Sequence, residues 1–154
     1  MPPAFAGRFV RAALLITARQ FEAALREVEL ALQLDPYSPS VADDATSAFY
    51  NVRDYDRVIR HALTQTDKYP NNPNFYLWLG AAYAQLEEFD NAIRNSLKAV
   101  ELESNPLTVA FLGGSYGAAG QRDKAMETLE ERLLLTANLT YDYSALDVGQ
   151  IGCQ

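Results

Sequence analysis

A single histidine, a single cysteine and one glycine-rich run are the features of this sequence that could carry chemistry. His61 and Cys153 are the only residues of their types, and a nucleophilic cysteine needs a histidine within hydrogen-bond reach. The run at residues 113–120 has glycines spaced as in a phosphate-binding loop, but such a loop follows a strand and opens a helix. The glutamate pairs 87–88 and 130–131 are adjacent in sequence, so on a helix they point in different directions.

A period of 34 or 33 residues runs through the chain and predicts the elements that position these groups. Prolines 39, 73 and 106 follow this period and suit the first turn of a helix, where the missing N–H costs nothing. Prolines 36 and 70 are expected to stop the helices before them. Because no stretch alternates as a strand would, we predict an all-α chain of about nine helices. Small or β-branched residues recur at separations of 34, 34 and 33, namely Ala24, Val58, Ala92 and Ala125.

Residues 75–106 carry the pattern most clearly. Leu79-Gly80 is followed by Tyr83, then by Ala92 and Ala99. This arrangement resembles the tetratricopeptide repeat, a helix–turn–helix unit of about 34 residues. The resemblance implies a right-handed α-solenoid and a single domain over residues 1–154. Its repeats are expected at about 5–38, 39–72, 73–105 and 106–139, with a short capping helix or truncated fifth repeat at 140–152.

The resemblance gives the glycines a structural role. Gly80 and Ala92 are expected where the two helices of one repeat cross, and Ala99 where the second helix meets the next repeat. Gly113 then takes the crossing position of repeat four, and Gly120 its turn position. The glycine-rich run is therefore interpreted as part of a helix and its closing turn, and no phosphate site is expected there.

Repeats one and two depart from the family pattern. Arg8 and Arg11 occupy positions of the first repeat that are normally apolar. In repeat two, Thr46 replaces the usual glycine and Gln65 the usual alanine. His61 is predicted on the outer face of the second helix of repeat two, as a surface histidine.

No set of residues in the sequence converges on catalysis. His61 and Cys153 fall at opposite ends of the predicted solenoid, and no histidine, cysteine or carboxylate cluster has metal-ligand spacing. We therefore expect no enzyme activity, no metal and no cofactor. Members of the family mostly assemble other proteins, which implies a protein or peptide partner.

The first helices of such repeats line a concave groove. Some members grip a C-terminal carboxylate there with Lys, Asn and Arg. The matching positions in this chain contain no cation and one acid, so binding of a carboxylate end is not expected. Those positions are Phe9, Ala13, Asp44, Asn74 and Trp78.

Large apolar side chains are the groove candidates instead. Beside small residues they suit a helix or an extended apolar segment. The alternative is that Trp78 and Phe111 only pack between neighbouring repeats. The candidates are Phe9, Tyr50, Leu77, Trp78 and Phe111. The small residues beside them are Ser47, Ala81, Ala84, Gly114 and Gly117.

Composition narrows the classes of partner and compartment. The net charge of −7, from 20 acidic and 13 basic residues, argues against nucleic acid as the main ligand. It fits a charged, solvated surface, and a preference for basic partners is the alternative. No apolar run reaches 18 residues, so no membrane span is expected. Cys153 cannot form an internal disulfide, so we expect the cytoplasm, although the arginines near the start leave an organelle presequence open.

Two functional hypotheses follow. The first is a non-enzymatic scaffold that binds a peptide or helix in the concave groove. The second is a regulatory or sensory segment of a bacterial signalling or transcriptional regulator, which would act through another domain or chain; it is motivated by the incomplete repeat at 140–152. Self-association through an array end is also left open, because the face of a terminal repeat needs a cover.

Overall fold

The protein is described by a computed structural model that covers residues 4–141, with side chains for 5–131 and Leu134. Residues 4–141 form helices and turns and contain no strand, so the all-α prediction is confirmed. The predicted ninth helix lies in the segment 140–152: residues 140 and 141 continue the last helix, and the remainder falls outside the described residues. The helices are α1 Ala4–Thr17, α2 Phe21–Leu34, α3 Pro39–Asn51, α4 Tyr55–Lys68, α5 Pro73–Gln85, α6 Phe89–Leu102, α7 Pro106–Ala118 and α8 Arg122–Tyr141.

The starts of the first helices follow from their sequence. α3, α5 and α7 each begin with proline at the first helical position, as predicted. The residue before each proline caps the helix, because its side chain accepts a hydrogen bond from a backbone N–H of the first turn. These caps are Ser38, Asn72 and Asn105. α2 ends at Leu34 and α4 at Lys68, two residues before Pro36 and Pro70.

The turn inside each hairpin has the same backbone shape in all four copies. One residue of each turn has positive φ: 58° at Arg19, 64° at Arg53, 62° at Glu87 and 72° at Gly120. Only Gly120 avoids the steric cost of this left-handed conformation. The other three turns are held by the packing of the helices that they join, so the repeat period is present in the backbone as well as in the side chains.

The helices pack as antiparallel pairs along one line. Each helix contacts the next one in the chain, and α1, α3, α5 and α7 also contact one another in that order. Among the described helices, α2, α4, α6 and α8 make no such contacts with one another. Because the first helices of the pairs are closer together than the second ones, the array curves with the first helices on its inner, concave side.

Close approach at the hairpin crossing confirms the role predicted for Gly80 and Ala92. Both are buried, and Ala92 has no exposed surface. A Cβ atom on Gly80 would overlap Ser96 Oγ and lie 3.2 Å from the carbonyl oxygen of Ala92. Ala99 is also fully buried. A larger side chain at either crossing position would therefore separate α5 from α6.

Ala92→Leu is expected to lower the free energy of unfolding by about 1–3 kcal/mol, because the added atoms have no space between α5 and α6. Urea unfolding followed by circular dichroism measures the change. The matched control is Ala23→Leu, in the first turn of α2 at a half-buried position, which is expected to change stability by less than about 1 kcal/mol. An unchanged midpoint for Ala92→Leu would show that the helix register is wrong.

The prediction that His61 is a surface residue is wrong. His61 lies between α3 and α4, where its ring meets Phe49 edge-on with the centroids 5.4 Å apart. Its Nδ1 is 2.9 Å from Thr46 Oγ1, and its Nε2 is 3.5 Å from Gln65 Nε2. Thr46 is fully buried and Gln65 almost so. The two departures from the family pattern in repeat two thus create a polar site for a histidine inside the hairpin.

The hydrogen bonds around His61 suit a neutral ring. Thr46 Oγ1 donates its proton to the carbonyl oxygen of Ala42, 2.7 Å away, so it can only accept from His61, whose Nδ1 must carry the hydrogen. His61 Nε2 then accepts from the amide of Gln65. Burial lowers the pKa of His61 from 6.5 to about 4, and the positive charges of Arg57 and Lys68 add to this effect.

Because of His61, the free energy of unfolding is expected to decrease as the pH is lowered. The unfolded chain takes up a proton near pH 6.5, whereas the folded chain resists it until about pH 4, so stability is lost as the pH falls through this window. Between pH 7.5 and 5 the loss is expected to be about 1–2 kcal/mol, after allowance for partial solvent screening. Urea unfolding of the native chain and of His61→Gln at both pH values tests it. An equal loss in the two proteins contradicts it.

Candidate protein-binding groove

All five groove candidates lie on first helices, the helices that contact one another along the inner side of the array. Leu77 is buried, with 4% of its surface exposed, so it supports the groove from behind and offers little contact area. The other four are half-buried and keep part of each ring accessible. They are Phe9 on α1, Tyr50 on α3, Trp78 on α5 and Phe111 on α7.

Trp78 and Tyr50 form an aromatic contact between repeats two and three. Their ring centroids are 5.6 Å apart, and Tyr50 also contacts Tyr55, with centroids 5.4 Å apart. Phe9, Tyr50 and Trp78 pack against the same buried cluster of repeats one to three. Each of these rings therefore stabilises the stack with one part, while the rest of the ring stays accessible.

Asp43 fixes the orientation of Trp78. Its Oδ1 accepts a hydrogen bond of 2.6 Å from Trp78 Nε1, and its Oδ2 accepts one of 2.8 Å from Asn74 Nδ2. The carboxylate thus joins α3 to α5 across the boundary between two repeats. The repeat pattern alone did not single out Asp43. Its spacing from Asn74 and Trp78 is close to one repeat, which is a signal that pairs it with them.

The positions of the family's carboxylate clamp serve a different purpose in this chain. Asn74 and Trp78, two of the five, are engaged with Asp43. Asp44, a third of these positions, carries a negative charge, which would repel a carboxylate. None of the five positions carries a cation.

A pocket of about 390 Å³ opens between α1 and α3 at the concave face. Its volume falls in the range of pockets that bind small molecules, about 300–1,000 Å³, which is enough for one large side chain and its neighbours. Apolar and polar residues both line it. The apolar ones are Phe9, Ala12, Ala13, Ile16 and Ala48, and the polar ones are Thr17, Asp44, Ser47 and Asn51.

Asp44 is the one charged residue among those that line this pocket. No lysine or arginine lines it, and the two arginines of α1 turn towards α2. Arg8 Nη1 lies 2.8 Å from a carboxylate oxygen of Glu27, and Arg11 Nε lies 3.4 Å from the other one. These ion pairs account for arginine at the two positions of α1 that are usually apolar.

Small residues lie near the aromatic candidates on the first helices. Ser47, Ala81 and Ala84 are half-buried. Gly114 and Gly117 on α7 have open space where a Cβ would stand, with no atom within 4 Å. Crowding inside the fold does not require glycine at these two positions, unlike Gly80. Their effect is to leave backbone of α7 exposed, on the helix that carries Phe111.

None of the helices described between residues 4 and 141 is both long and apolar enough to cross a membrane.

The sequence and the fold were compared with those of known proteins. The profile of the tetratricopeptide repeat matches residues 73–106, the stretch where the sequence pattern is clearest. No curated protein matches the sequence significantly. Solved structures do match. MamA from Desulfovibrio magneticus RS-1, solved from residue 41 to its end, is 17% identical, with a TM-score of 0.70 over 89% of this chain and 78% of that one.

Two further structures have the same arrangement of helices. TTC0263, a thermophilic TPR protein in Thermus thermophilus, is 20% identical, with a TM-score of 0.74 over 86% of this chain and 74% of that one. MamA AMB-1 is 20% identical, with a TM-score of 0.66 over 82% and 76% of the two chains. At these identities the likeness shows the fold, a right-handed α-solenoid of paired helices. Residues 73–106 thus match the tetratricopeptide repeat, and the helices of the described part of the chain have the arrangement of tetratricopeptide repeat solenoids.

Proposed function

We propose that this protein is a non-enzymatic scaffold that binds a peptide or a helix of a partner protein in its concave groove. The observation that carries the proposal is the accessible row of aromatic side chains on α1, α3, α5 and α7, together with the pocket beside Phe9. Aromatic anchors next to small residues are typical of surfaces that receive an apolar segment. Tetratricopeptide repeat proteins in general assemble other proteins, which agrees with this role.

Peptides selected from a random display library on the native chain test the proposal. Ser47→Arg places a large side chain in the pocket between α1 and α3, so selected peptides are expected to bind this variant at least ~10-fold more weakly. Thr64→Arg is the matched control, since it adds the same side chain at an exposed position of α4 in the same repeat. Peptides that bind both variants as tightly as they bind the native chain would contradict groove binding.

Self-association is a second binding mode that we propose to test. Val10 and Leu14 on α1 are 63% and 67% exposed, although Ala48 and Ala82, which occupy the position of Leu14 in the next two repeats, are buried. Sedimentation velocity over a range of concentrations would detect association, and Leu14→Lys is expected to abolish it. A native chain that stays monomeric at high concentration contradicts this mode without affecting the groove.

The alternative of a regulatory or sensory segment rests on residues 140–152, most of which lie outside the described residues, so no observation favours it. The cytoplasm is the compartment that we propose, on the basis of the single cysteine.

A further inference from the structure

Asp43 and Asp44 are neighbours in sequence but have different roles. Asp43 uses both carboxylate oxygens to hold Asn74 and Trp78. Asp44, one residue later on α3, is exposed at the rim of the pocket between α1 and α3. Among the described residues its carboxylate has no hydrogen-bond or ion-pair partner. The contacts that hold the repeats together therefore do not account for Asp44.

The surroundings of Asp44 disfavour the charged form of its carboxyl, although the residue as a whole is exposed. Partial burial raises the pKa of its carboxyl above the usual value, and the negative charge of Asp43 raises it further. The two arginines of α1, Arg8 and Arg11, are paired with Glu27. Arg19 and Arg53 line an adjoining pocket, and neither forms an ion pair with Asp44 among the described residues. A positive group supplied from outside would relieve this cost, because an opposite charge close by favours the ionised carboxylate.

We propose that the occupant of the pocket between α1 and α3 is a segment of a partner protein that places a lysine or arginine on Asp44 and, beside it, a large apolar side chain over Phe9 and Ile16. This inference rests on the proposed function and specifies its partner. Charge complementarity selects the basic residue, and the apolar floor of the pocket selects its neighbour. Asn51, which also lines the pocket, donates its amide nitrogen to the carbonyl oxygen of Ser47, so its Oδ1 can accept a hydrogen bond from the partner's backbone.

The chain's overall charge works in the same direction. With a net charge of −7, it attracts basic segments from a distance and repels acidic ones. A partner with a basic residue in the contact is expected to associate faster at low salt. Screening at high salt is expected to weaken the contact, since the Debye length falls from about 10 Å at 0.1 M to about 3 Å at 1 M.

Two parallel selections from one random peptide library test the inference, one on the native chain and one on Asp44→Asn. The native chain is expected to enrich lysine or arginine next to a large apolar residue. Asp44→Asn is expected to keep the apolar preference and to lose the basic one. Asp67→Asn is the matched control, since it removes the same charge from an exposed position of α4. This variant is expected to enrich the same peptides as the native chain.

One peptide from the native selection then gives the size of the effect. Fluorescence anisotropy is expected to show binding about 5- to 20-fold weaker for Asp44→Asn, and a similar loss when the basic residue of the peptide becomes glutamine. The two losses should not add, because both remove the same contact.

The outcomes separate the two proposals. Peptides that are blocked by Ser47→Arg but carry no basic preference, or that bind Asp44→Asn unchanged, overturn the pairing with Asp44 and leave groove binding intact. Peptides that are not blocked by Ser47→Arg overturn groove binding and, with it, this inference.

Discussion

Replacing Phe75 by alanine is expected to lower the free energy of unfolding by about 3–5 kcal/mol. Phe75 stands in the first turn of α5 with none of its surface exposed. It packs with Ala42, Ala62 and Leu79 at the boundary between repeats two and three, and its ring lies 6.2 Å from that of Tyr69 in a stacked arrangement. Removing the ring leaves a cavity that helices fixed on both sides cannot close.

Urea unfolding measures this loss, and two variants control it. Phe75→Leu keeps most of the volume and is expected to cost less than about 1.5 kcal/mol. Leu107→Ala removes an apolar side chain from the first turn of α7, but Leu107 is 55% exposed, so its loss is expected to stay within about 0.5 kcal/mol. Equal losses for Phe75→Ala and Leu107→Ala would mean that Phe75 is not at the boundary core.

Trp78→Ala is the second variant with a large expected effect, about 2–4 kcal/mol of stability. The indole packs against Tyr50 and donates to Asp43, so its removal loses contact area and leaves a carboxylate oxygen without a donor. The loss is expected to be smaller than for Phe75 because Trp78 is only half-buried. Peptide binding, measured where the variant is still folded, is expected to weaken by ~10-fold or more.

Trp78→Phe separates the two contributions. It keeps an aromatic ring in the groove but loses the N–H, so a cost of about 1–2 kcal/mol in stability is expected, with most of the peptide affinity retained. If Trp78→Ala loses stability while peptide binding stays unchanged, Trp78 only packs between repeats and is not an anchor of the groove.

The sequence was sufficient for the architecture because the repeat pattern depends on local rules. Proline at the first helical position, a capping side chain before it and small residues at the crossing act within about 34 residues, and each recurs. The starts of α3, α5 and α7 and the burial of Ala92 and Ala99 were therefore predictable. The last repeat was expected to end at about residue 139, whereas its second helix, α8, continues to Tyr141.

The sequence also indicated which helices carry the groove, but not how much of each side chain is accessible. Leu77 and Trp78 are adjacent on α5, yet Leu77 is buried and Trp78 is half open. The difference depends on how tightly α5 packs on its neighbours, which a periodic pattern does not specify. The open space around Gly114 and Gly117 is likewise a property of the packed array.

Polar contacts between different helices were decided by the tertiary structure alone. His61 was placed on the surface from its position along α4, whereas Thr46 on α3 and Gln65 on α4 receive it inside the hairpin. The ion pairs of Arg8 and Arg11 with Glu27 join α1 to α2 in the same way. Asp43 and Asp44 are chemically identical neighbours, but successive positions on a helix are turned about 100° apart. One therefore points at the next repeat and holds Asn74 and Trp78, while the other points into the groove.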